Sequence, residues 1–208
     1  MGRLGDWEKS QVEWNGLIMN GKIHIDETFE KVDYSGRDLS GEEFDDCIFT
    51  GCNFTGSDLT ESNFTDCRFE GCDFSNVIFN NAGLRDVTFT GCKLLGTGFN
   101  ACKDFFLSFS FEKCVLDYSN FQKKKIKNTR FEECSVREAD FSEADLTSSS
   151  FNNCDLTRTL FHQSILEKAD FSTAINFSID PEENRIKNAR FSSGGIAGLL
   201  DKYQIIIE

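Results

Sequence analysis

Residues 47–76 read CIFTG CNFTG SDLTE SNFTD CRFEG CDFSN, and a large apolar residue returns at every fifth position of this stretch. We call this large position the centre. Two residues before each centre stands a smaller residue, here cysteine or serine, and the other positions are mostly Gly, Asp, Asn, Ser, Thr or Glu. The pattern extends from Phe29 to Phe191, slips by two residues near positions 101–105, and resumes with Phe106 at a centre.

A period of five matches neither an α-helix, which repeats every 3.6 residues, nor a strand, which repeats every 2.0. It suits a chain that turns a corner after each five residues and directs both the centre and the small residue inward. Repeats of this kind indicate a solenoid, because one unit buries its apolar side chains only against its neighbours.

The strings GCNFT, GSDLT, GCDFS, EADFS, EADLT, NCDLT and KADFS resemble the pentapeptide-repeat family, whose consensus is A(D/N)LXX. The resemblance implies an all-β fold, a right-handed quadrilateral β-helix in which four pentapeptides, ~20 residues, form one coil. We therefore expect an N-terminal cap at residues 1–28, a β-helix of about eight coils at residues 29–191, and a C-terminal cap at residues 192–208.

A twenty-residue coil predicts that every twentieth inward residue lies in one column. With two residues added at the slip, the centres give the column Phe29, Phe49, Phe69, Phe89, Phe111, Phe131, Phe151, Phe171 and Phe191. The neighbouring small positions give the column Cys52, Cys72, Cys92, Cys114, Cys134 and Cys154. Asn176 and Pro181 occupy later centre positions, and because proline donates no ladder hydrogen bond, we expect strand pairing to fail there.

Six of the nine cysteines fall in that one column. A straight column offers no tetrahedral set of ligands, and no histidine accompanies it. Cysteine packs well as a small hydrophobic residue, and Ala and Ser occupy equivalent positions elsewhere. We therefore expect structural cysteines, no metal site and no cofactor.

The chain carries a net charge of −13, which argues against direct nucleic-acid binding and favours a basic protein partner. Residues 1–100 hold 18 acidic and 8 basic side chains, whereas residues 101–208 hold 17 acidic and 14 basic ones. The N-terminal half therefore carries most of the negative charge. The sequence shows no long apolar segment of the kind that predicts a membrane span or a secretory signal, so we expect a cytoplasmic protein.

Catalytic residues are not evident in the sequence. His24 falls in the expected N-terminal cap, and His162 follows a centre and should face solvent. Neither has a predictable acid, base or nucleophile beside it, and solenoid faces lack deep pockets, so we expect no enzyme activity. Asp104 and Lys124 both fall at inward small positions one coil apart, and we expect them to pair because a buried unpaired charge is costly.

Three aspartates, Asp46, Asp66 and Asp86, lie two residues after their centres at intervals of twenty. They should form a column of outward carboxylates. Like charges in register destabilise a sheet. The column is therefore a candidate site for a basic partner, although aspartate is also common at turns.

Within the family, the chain resembles the quinolone-resistance (Qnr-type) proteins in acidity and length. That resemblance implies a DNA mimic that binds DNA gyrase or topoisomerase IV and protects it from fluoroquinolones. It also implies a homodimer through a C-terminal helix. A short helix at residues 194–202, N-capped by Ser192 or Ser193, would place Ile196, Leu199, Leu200 and Tyr203 as a cap or dimer contact, followed by a strand at Ile205, Ile206 and Ile207. The alternative is a general protein-interaction scaffold with another partner.

Overall fold

The computed structural model describes residues 22–206. Within this range the chain forms short strands, which are β1 (Ile23–Ile25), β2 (Thr28–Glu30), β3 (Glu43–Asp45), β4 (Ile48–Thr50), β5 (Asn63–Thr65), β6 (Arg68–Glu70), β7 (Gly83–Arg85), β8 (Val87–Thr90), β9 (Phe109–Glu112), β10 (Arg130–Glu132), β11 (Ser150–Asn152), β12 (Asp170–Phe171) and β13 (Arg190–Phe191). Single 3₁₀ turns lie at Phe99–Ala101, Ile196–Leu199 and Asp201–Tyr203.

Every strand pairing is parallel and joins one coil to the next. One sheet has four strands in the order β1-β3-β5-β7, and the other has nine in the order β2-β4-β6-β8-β9-β10-β11-β12-β13. The remaining two sides are held by isolated parallel bridges, such as Asn53 with Asp73 and Asp58 with Ile78. The predicted all-β quadrilateral solenoid is therefore confirmed.

Stacked aromatic rings fill the interior. Phe131 is fully buried, and its ring lies parallel to those of Phe111 and Phe151, at centroid distances of 5.3 and 4.7 Å. The rings of Phe121 and Phe141, in the neighbouring column, meet it edge-on at 6.2 and 5.8 Å. Offset-stacked and edge-to-face contacts are the favourable aromatic geometries. The same stacking joins all nine rings from Phe29 to Phe191.

The corners are made by residues in the left-handed backbone region. Gly51 and Gly71 adopt φ values of +62°, which glycine tolerates without steric cost. On the other sides, Asx turns support the backbone. The Asn53 side-chain oxygen accepts a hydrogen bond from the Thr55 amide at 3.0 Å, and Asp58 accepts one from the Thr60 amide at 2.9 Å. Glycine and Asx residues therefore favour many of these turns, while longer side chains such as Lys123, Glu138 and Arg158 occupy other left-handed corners.

The solenoid begins earlier than the sequence analysis predicted. Strand β1 starts at Ile23, and the His24 ring stacks on Phe44 with a centroid distance of 4.7 Å and an interplanar angle of 7°. A planar imidazole can replace a phenyl ring at the end of a column, so His24 is a centre residue of the first coil. The rest of the expected cap, residues 1–21, lies outside the described residues.

The expectation that Phe106 returns to a centre position is wrong, because its side chain is 62% exposed. Phe109 is buried instead, at the small position paired with Val87. Its ring contacts Phe99 and Phe111 at centroid distances of 5.3 and 5.1 Å, which fills the space that a centre residue would occupy. The extra residues therefore leave the coil as a loop, residues 103–107.

The expected pair between Asp104 and Lys124 forms, with the Lys124 Nζ 2.7 Å from the carboxylate. Lys124 is buried at the inward small position, but the Asp104 side chain is 75% exposed. Cys102 takes the inward position, and its carbonyl accepts a second hydrogen bond from Lys124 at 2.6 Å. The loop and the residue just before it therefore supply the two partners of a buried ammonium group.

The last coil departs from the repeat where Asn176 and Pro181 were expected to disrupt it. Asn176 is exposed, and Phe177 and Ile179 enter the interior instead. The Ile179 amide donates to the carbonyl of Gly198 in the C-terminal segment at 2.9 Å. At this end, backbone pairing with a further coil is thus replaced by backbone pairing with the C-terminal segment.

In place of the continuous short helix predicted at residues 194–202, two 3₁₀ turns stand there, Ile196–Leu199 and Asp201–Tyr203. Glycine lowers helix propensity, and the Gly198 backbone lies against Phe177, where an added Cβ would be only 2.2 Å from the Phe177 carbonyl oxygen. Ser192 does accept a hydrogen bond from the Gly195 amide at 2.9 Å. Ile205 and Ile206 form no strand, and Ile207 lies outside the described residues.

Candidate partner-binding surface

The predicted carboxylate column lies at the corner between the two sheets. Asp46, Asp66 and Asp86 all follow strands of the four-stranded sheet and adopt left-handed φ values of 51°, 53° and 54°. The Asp46 amide donates to the Thr65 carbonyl at 3.0 Å, and the Asp66 amide donates to the Arg85 carbonyl at 2.9 Å. These bonds hold the coils in register, and the three exposed side chains line one shallow groove.

The structure adds a fourth member, Asp26, which has a φ of 54° and lines the same groove. Its amide donates to the Asp45 carbonyl at 3.0 Å, as in the following coils. The twenty-residue step back from Asp46 already points to Asp26, but that residue falls in the segment that the sequence analysis assigned to the cap. We call Asp26, Asp46, Asp66 and Asp86 the acidic stripe.

The stripe ends at the two-residue slip. Ser108 occupies the next coil below Asp86, where its hydroxyl donates to the Asp86 carboxylate at 2.9 Å and accepts from the Asp86 amide at 2.7 Å. A hydroxyl therefore replaces the next carboxylate. The stripe is confined to the N-terminal half, where most of the negative charge lies.

Other aspartates of the solenoid have structural roles that Asp26, Asp46 and Asp66 lack. The Asp38 carboxylate accepts the amide of Ser40, two residues later, and hydrogen bonds from Ser40 lower its pKa. Burial alone would raise the pKa of Asp155, but hydrogen bonds from Thr157, Asn176 and Arg137 outweigh it and lower that pKa to about 2.

By contrast, the side chains of Asp26, Asp46 and Asp66 make no hydrogen bond or ion pair within residues 22–206. Like charges stacked one coil apart, ~4.8 Å, oppose folding. Arg68 lines the same groove but forms no ion pair with them in the described range, so these carboxylates remain exposed and unpaired.

The cysteines are buried and free. The thiols of Cys72 and Cys92 donate to carbonyls of the preceding coil, those of Phe49 at 3.4 Å and Phe69 at 3.3 Å. Burial raises the pKa of Cys67 to about 12, so that thiol stays protonated at neutral pH. Within residues 22–206, no group of three or more His, Cys, Asp or Glu side chains is placed to hold a metal ion.

Neither histidine lines the groove of the acidic stripe. His162 is exposed, with its Nδ1 2.8 Å from a Glu183 carboxylate oxygen, and His24 stacks in the first coil with its Nε2 3.3 Å from Glu42. Neither ring has a hydroxyl or thiol among these hydrogen-bond partners. His162 thus makes a hydrogen bond at the surface, and His24 ends an aromatic column.

The C-terminal residues singled out from the sequence divide into two groups. Leu199 packs against the core and Leu200 is half-buried, whereas Ile196 and Tyr203 are 55% and 52% exposed. The Tyr203 hydroxyl lies 3.0 Å from a Glu182 carboxylate oxygen. The segment is thus attached to the last coil on one side and exposes apolar side chains on the other.

Comparison with solved structures shows the same architecture in other proteins. A trypsin-treated form of QnrB1, a plasmid-mediated fluoroquinolone resistance protein, matches with a TM-score of 0.66 and 20% identity over 90% of this chain and 98% of that one. HetL, a pentapeptide repeat protein involved in heterocyst differentiation regulation from the cyanobacterium Nostoc sp. strain PCC 7120, matches with a TM-score of 0.50 and 15% identity over 82% and 85%. These similarities support the fold.

No curated protein matches the sequence. In the described range, no helix has both the length and the apolar character needed to cross a bilayer. Family models do match. The pentapeptide repeat region matches residues 62–103 and 105–175, and the eight-copy pentapeptide repeats match residues 31–66. The chain therefore belongs to the pentapeptide-repeat family.

Proposed function

We propose that this protein binds DNA gyrase or topoisomerase IV as a DNA mimic, through the acidic stripe. The observation that carries the proposal is the register of Asp26, Asp46, Asp66 and Asp86, whose carboxylates repeat at one coil, ~4.8 Å, along a straight rod. A DNA-binding surface that neutralises a row of phosphates can accept a row of carboxylates. The fold that the chain shares with QnrB1 supports the choice of a topoisomerase as the partner.

The charge density supports mimicry of a limited length of DNA. B-DNA carries one charge per ~1.7 Å, or about 23 over a rod of ~39 Å. The net charge of −13 is about half that value, and the N-terminal half carries most of it. We therefore place the mimic in the first four coils, and we expect the partner to approach from that end.

Protection from fluoroquinolones is a separate part of the proposal. The one loop that leaves the described coils is short, residues 103–107, so protection depends on how the bound rod displaces DNA. A supercoiling assay with purified gyrase and ciprofloxacin tests it. Restored supercoiling on adding the protein supports protection, and unchanged inhibition contradicts it without affecting the binding proposal.

The proposed role is binding without catalysis, in the cytoplasm, where bacterial topoisomerases meet the chromosome. The groove beside the stripe is shallow and lined mostly by carboxylates, and no histidine stands among its described lining residues to act as a base for the Thr88 hydroxyl. We also propose that the C-terminal segment caps the solenoid, since Leu199 packs on the core and Gly198 pairs with Ile179.

Direct binding of purified gyrase and topoisomerase IV to the immobilised protein tests the proposal. Replacing all four stripe aspartates by asparagine should raise the dissociation constant by about tenfold or more, since exposed charge pairs each contribute ~0.2–1 kcal/mol and 1.4 kcal/mol is tenfold. A matched control replaces four exposed glutamates outside the stripe by glutamine, at Glu30, Glu61, Glu70 and Glu133.

The control variant loses the same charge and should bind within about threefold of the natural protein. Equal weakening in both variants would show that only net charge matters, which would refute a site at the stripe. Absence of binding at micromolar concentration would refute the topoisomerase partner and leave the general scaffold as the function. Thermal unfolding of each variant checks that the fold is intact.

A further inference from the structure

One face of the solenoid carries opposite charges in its two halves. This face contains the outward residues of β1, β3, β5 and β7, and continues below the loop through the parallel bridges that join Lys125, Asp145, Ile165 and Arg185. We call it the bipolar face. Its two halves meet at the level of the loop, residues 103–107.

Above the loop, exposed or half-buried acidic side chains dominate. They comprise the acidic stripe together with Glu43 and Asp45, against the basic residues Lys22 and Arg85. Below the loop, basic side chains dominate. They comprise Lys125, Lys127, Lys168, Arg185 and Lys187, against the acidic residues Asp145 and Glu167. Lys125, Lys168 and Lys187 form no ion pair within the described range.

An exposed aromatic pair stands at the boundary. Phe105 and Phe106 are 77% and 62% exposed, and their ring centroids are 4.0 Å apart. They flank the groove that runs over the four-stranded sheet, and Lys103 beside them donates a hydrogen bond to Asn63 at 3.0 Å. The interior does not need these rings, because Phe109 fills it. Exposed aromatic side chains on a rigid base are typical anchors of protein interfaces.

We infer that the bipolar face binds a second copy of this chain in antiparallel orientation. The twofold axis would lie in the plane between the two faces, perpendicular to both rods, and would pass through the aromatic pair. Such an axis preserves position across the face and reverses position along the rod. The acidic half of each copy then meets the basic half of the other, as a self-complementary interface requires.

The register of the coils specifies the contacts. Asp46 lies three coils above the loop, and Lys168 lies three coils below it at the same left-handed corner position, with φ values of 51° and 61°. Asp26 lies four coils above the loop, and Lys187 lies four coils below it, next to the corner residue. At ~4.8 Å per coil, the offsets are about 14 and 19 Å on either side of the axis. Phe105 and Phe106 meet their own copies at the centre.

A second copy fits this face better than an occupant of one charge sign. Nucleic acid would be repelled by the acidic half, and a uniformly basic protein would be repelled by the lower half. Only a surface with both signs in reversed order complements both halves. The pairing would also cover the acidic stripe, so self-association would compete with any basic partner. Dimer formation can be measured with this protein alone, so the inference does not rest on the proposed topoisomerase partner.

Charge reversal tests the inference. Sedimentation equilibrium of the full chain at about 50 mM salt, where the Debye length exceeds 10 Å, should show a monomer–dimer equilibrium that weakens as salt is added. Asp46→Lys or Lys168→Asp alone should raise the dimer dissociation constant by about tenfold or more. The double variant should restore it to within about threefold, because each copy then presents the reversed pair.

A second set of variants distinguishes this face from the C-terminal segment. Phe105→Ser with Phe106→Ser should also weaken the dimer, whereas Tyr203→Ser with Ile206→Ser should leave it unchanged. A protein that stays monomeric at high micromolar concentration would overturn the inference. So would a dimer lost only in the C-terminal variant, or a double charge reversal that fails to restore association. All these positions are exposed or at the surface, and unfolding curves verify that each variant is folded.

Discussion

Replacing Phe131 by alanine should destabilise the solenoid more than almost any other single truncation. The side chain is fully buried and has four aromatic neighbours, two stacked and two edge-on. Truncation of a buried phenylalanine costs ~3–5 kcal/mol through lost transfer free energy and the cavity left behind. Coils on both sides hold the backbone in register, which limits collapse of the cavity, so we expect about 4 kcal/mol.

Urea denaturation followed by circular dichroism measures this free energy of unfolding. Phe131→Leu should cost only about 1.5 kcal/mol, because leucine occupies equivalent centres in other columns and leaves less empty volume. Phe105→Ala is the matched surface control, and at 77% exposure it should change stability by less than about 0.5 kcal/mol. A loss below about 1 kcal/mol for Phe131→Ala, or equal losses at both positions, would refute the stacked-column account of the core.

Three further predictions concern the loop, the C-terminal end and acid stability. Asp104→Ala should lower the free energy of unfolding by about 1 kcal/mol, because it removes a partner of the buried Lys124 ammonium. Lys124→Met should lower it by less, because it removes the buried charge itself. Chemical denaturation compares the two variants, and a larger loss for Lys124→Met would contradict the pairing. Gly198→Val should expose the end of the solenoid, since a Cβ there meets the Phe177 backbone; faster amide exchange at Ile179 with unchanged exchange at Phe69 would show it, and unchanged exchange at both would contradict the cap. The pKa of Asp155, lowered to about 2, implies a stabilisation present above the unfolded value of ~3.9 and lost as pH falls toward 2; Asp155→Asn should flatten this part of the stability–pH curve, and an unchanged curve would contradict it.

The five-residue period was sufficient to predict the interior of the regular coils from the sequence. Inward positions repeat in identical surroundings, so Phe69 and Phe131 could be assigned to one column before any contact was known. The acidic stripe followed from the same periodicity at outward positions. Its fourth member, Asp26, was missed because the first coil has a histidine at its centre, and imidazole does not resemble the consensus.

Departures from the period were harder to predict. At the slip, phenylalanine stands at positions 105, 106 and 109, and residue type alone does not show which ring is buried. The choice depends on where the backbone leaves the coil, and the Lys124 ammonium, bonded to Asp104 and the Cys102 carbonyl, holds that point. At the C-terminal end, Phe177 and Ile179 replaced the expected centres because the segment around Gly198 pairs there.

The account of function is tested most directly by competition between this protein and DNA for one topoisomerase. Gyrase is loaded with a fluorescently labelled duplex, and the anisotropy of the duplex is followed as protein is added. The account predicts that the natural protein releases the duplex, that the four-asparagine stripe variant does so only at about tenfold higher concentration or more, and that the glutamine control behaves like the natural protein. Simultaneous binding of DNA and protein, with no release at saturation, would contradict it.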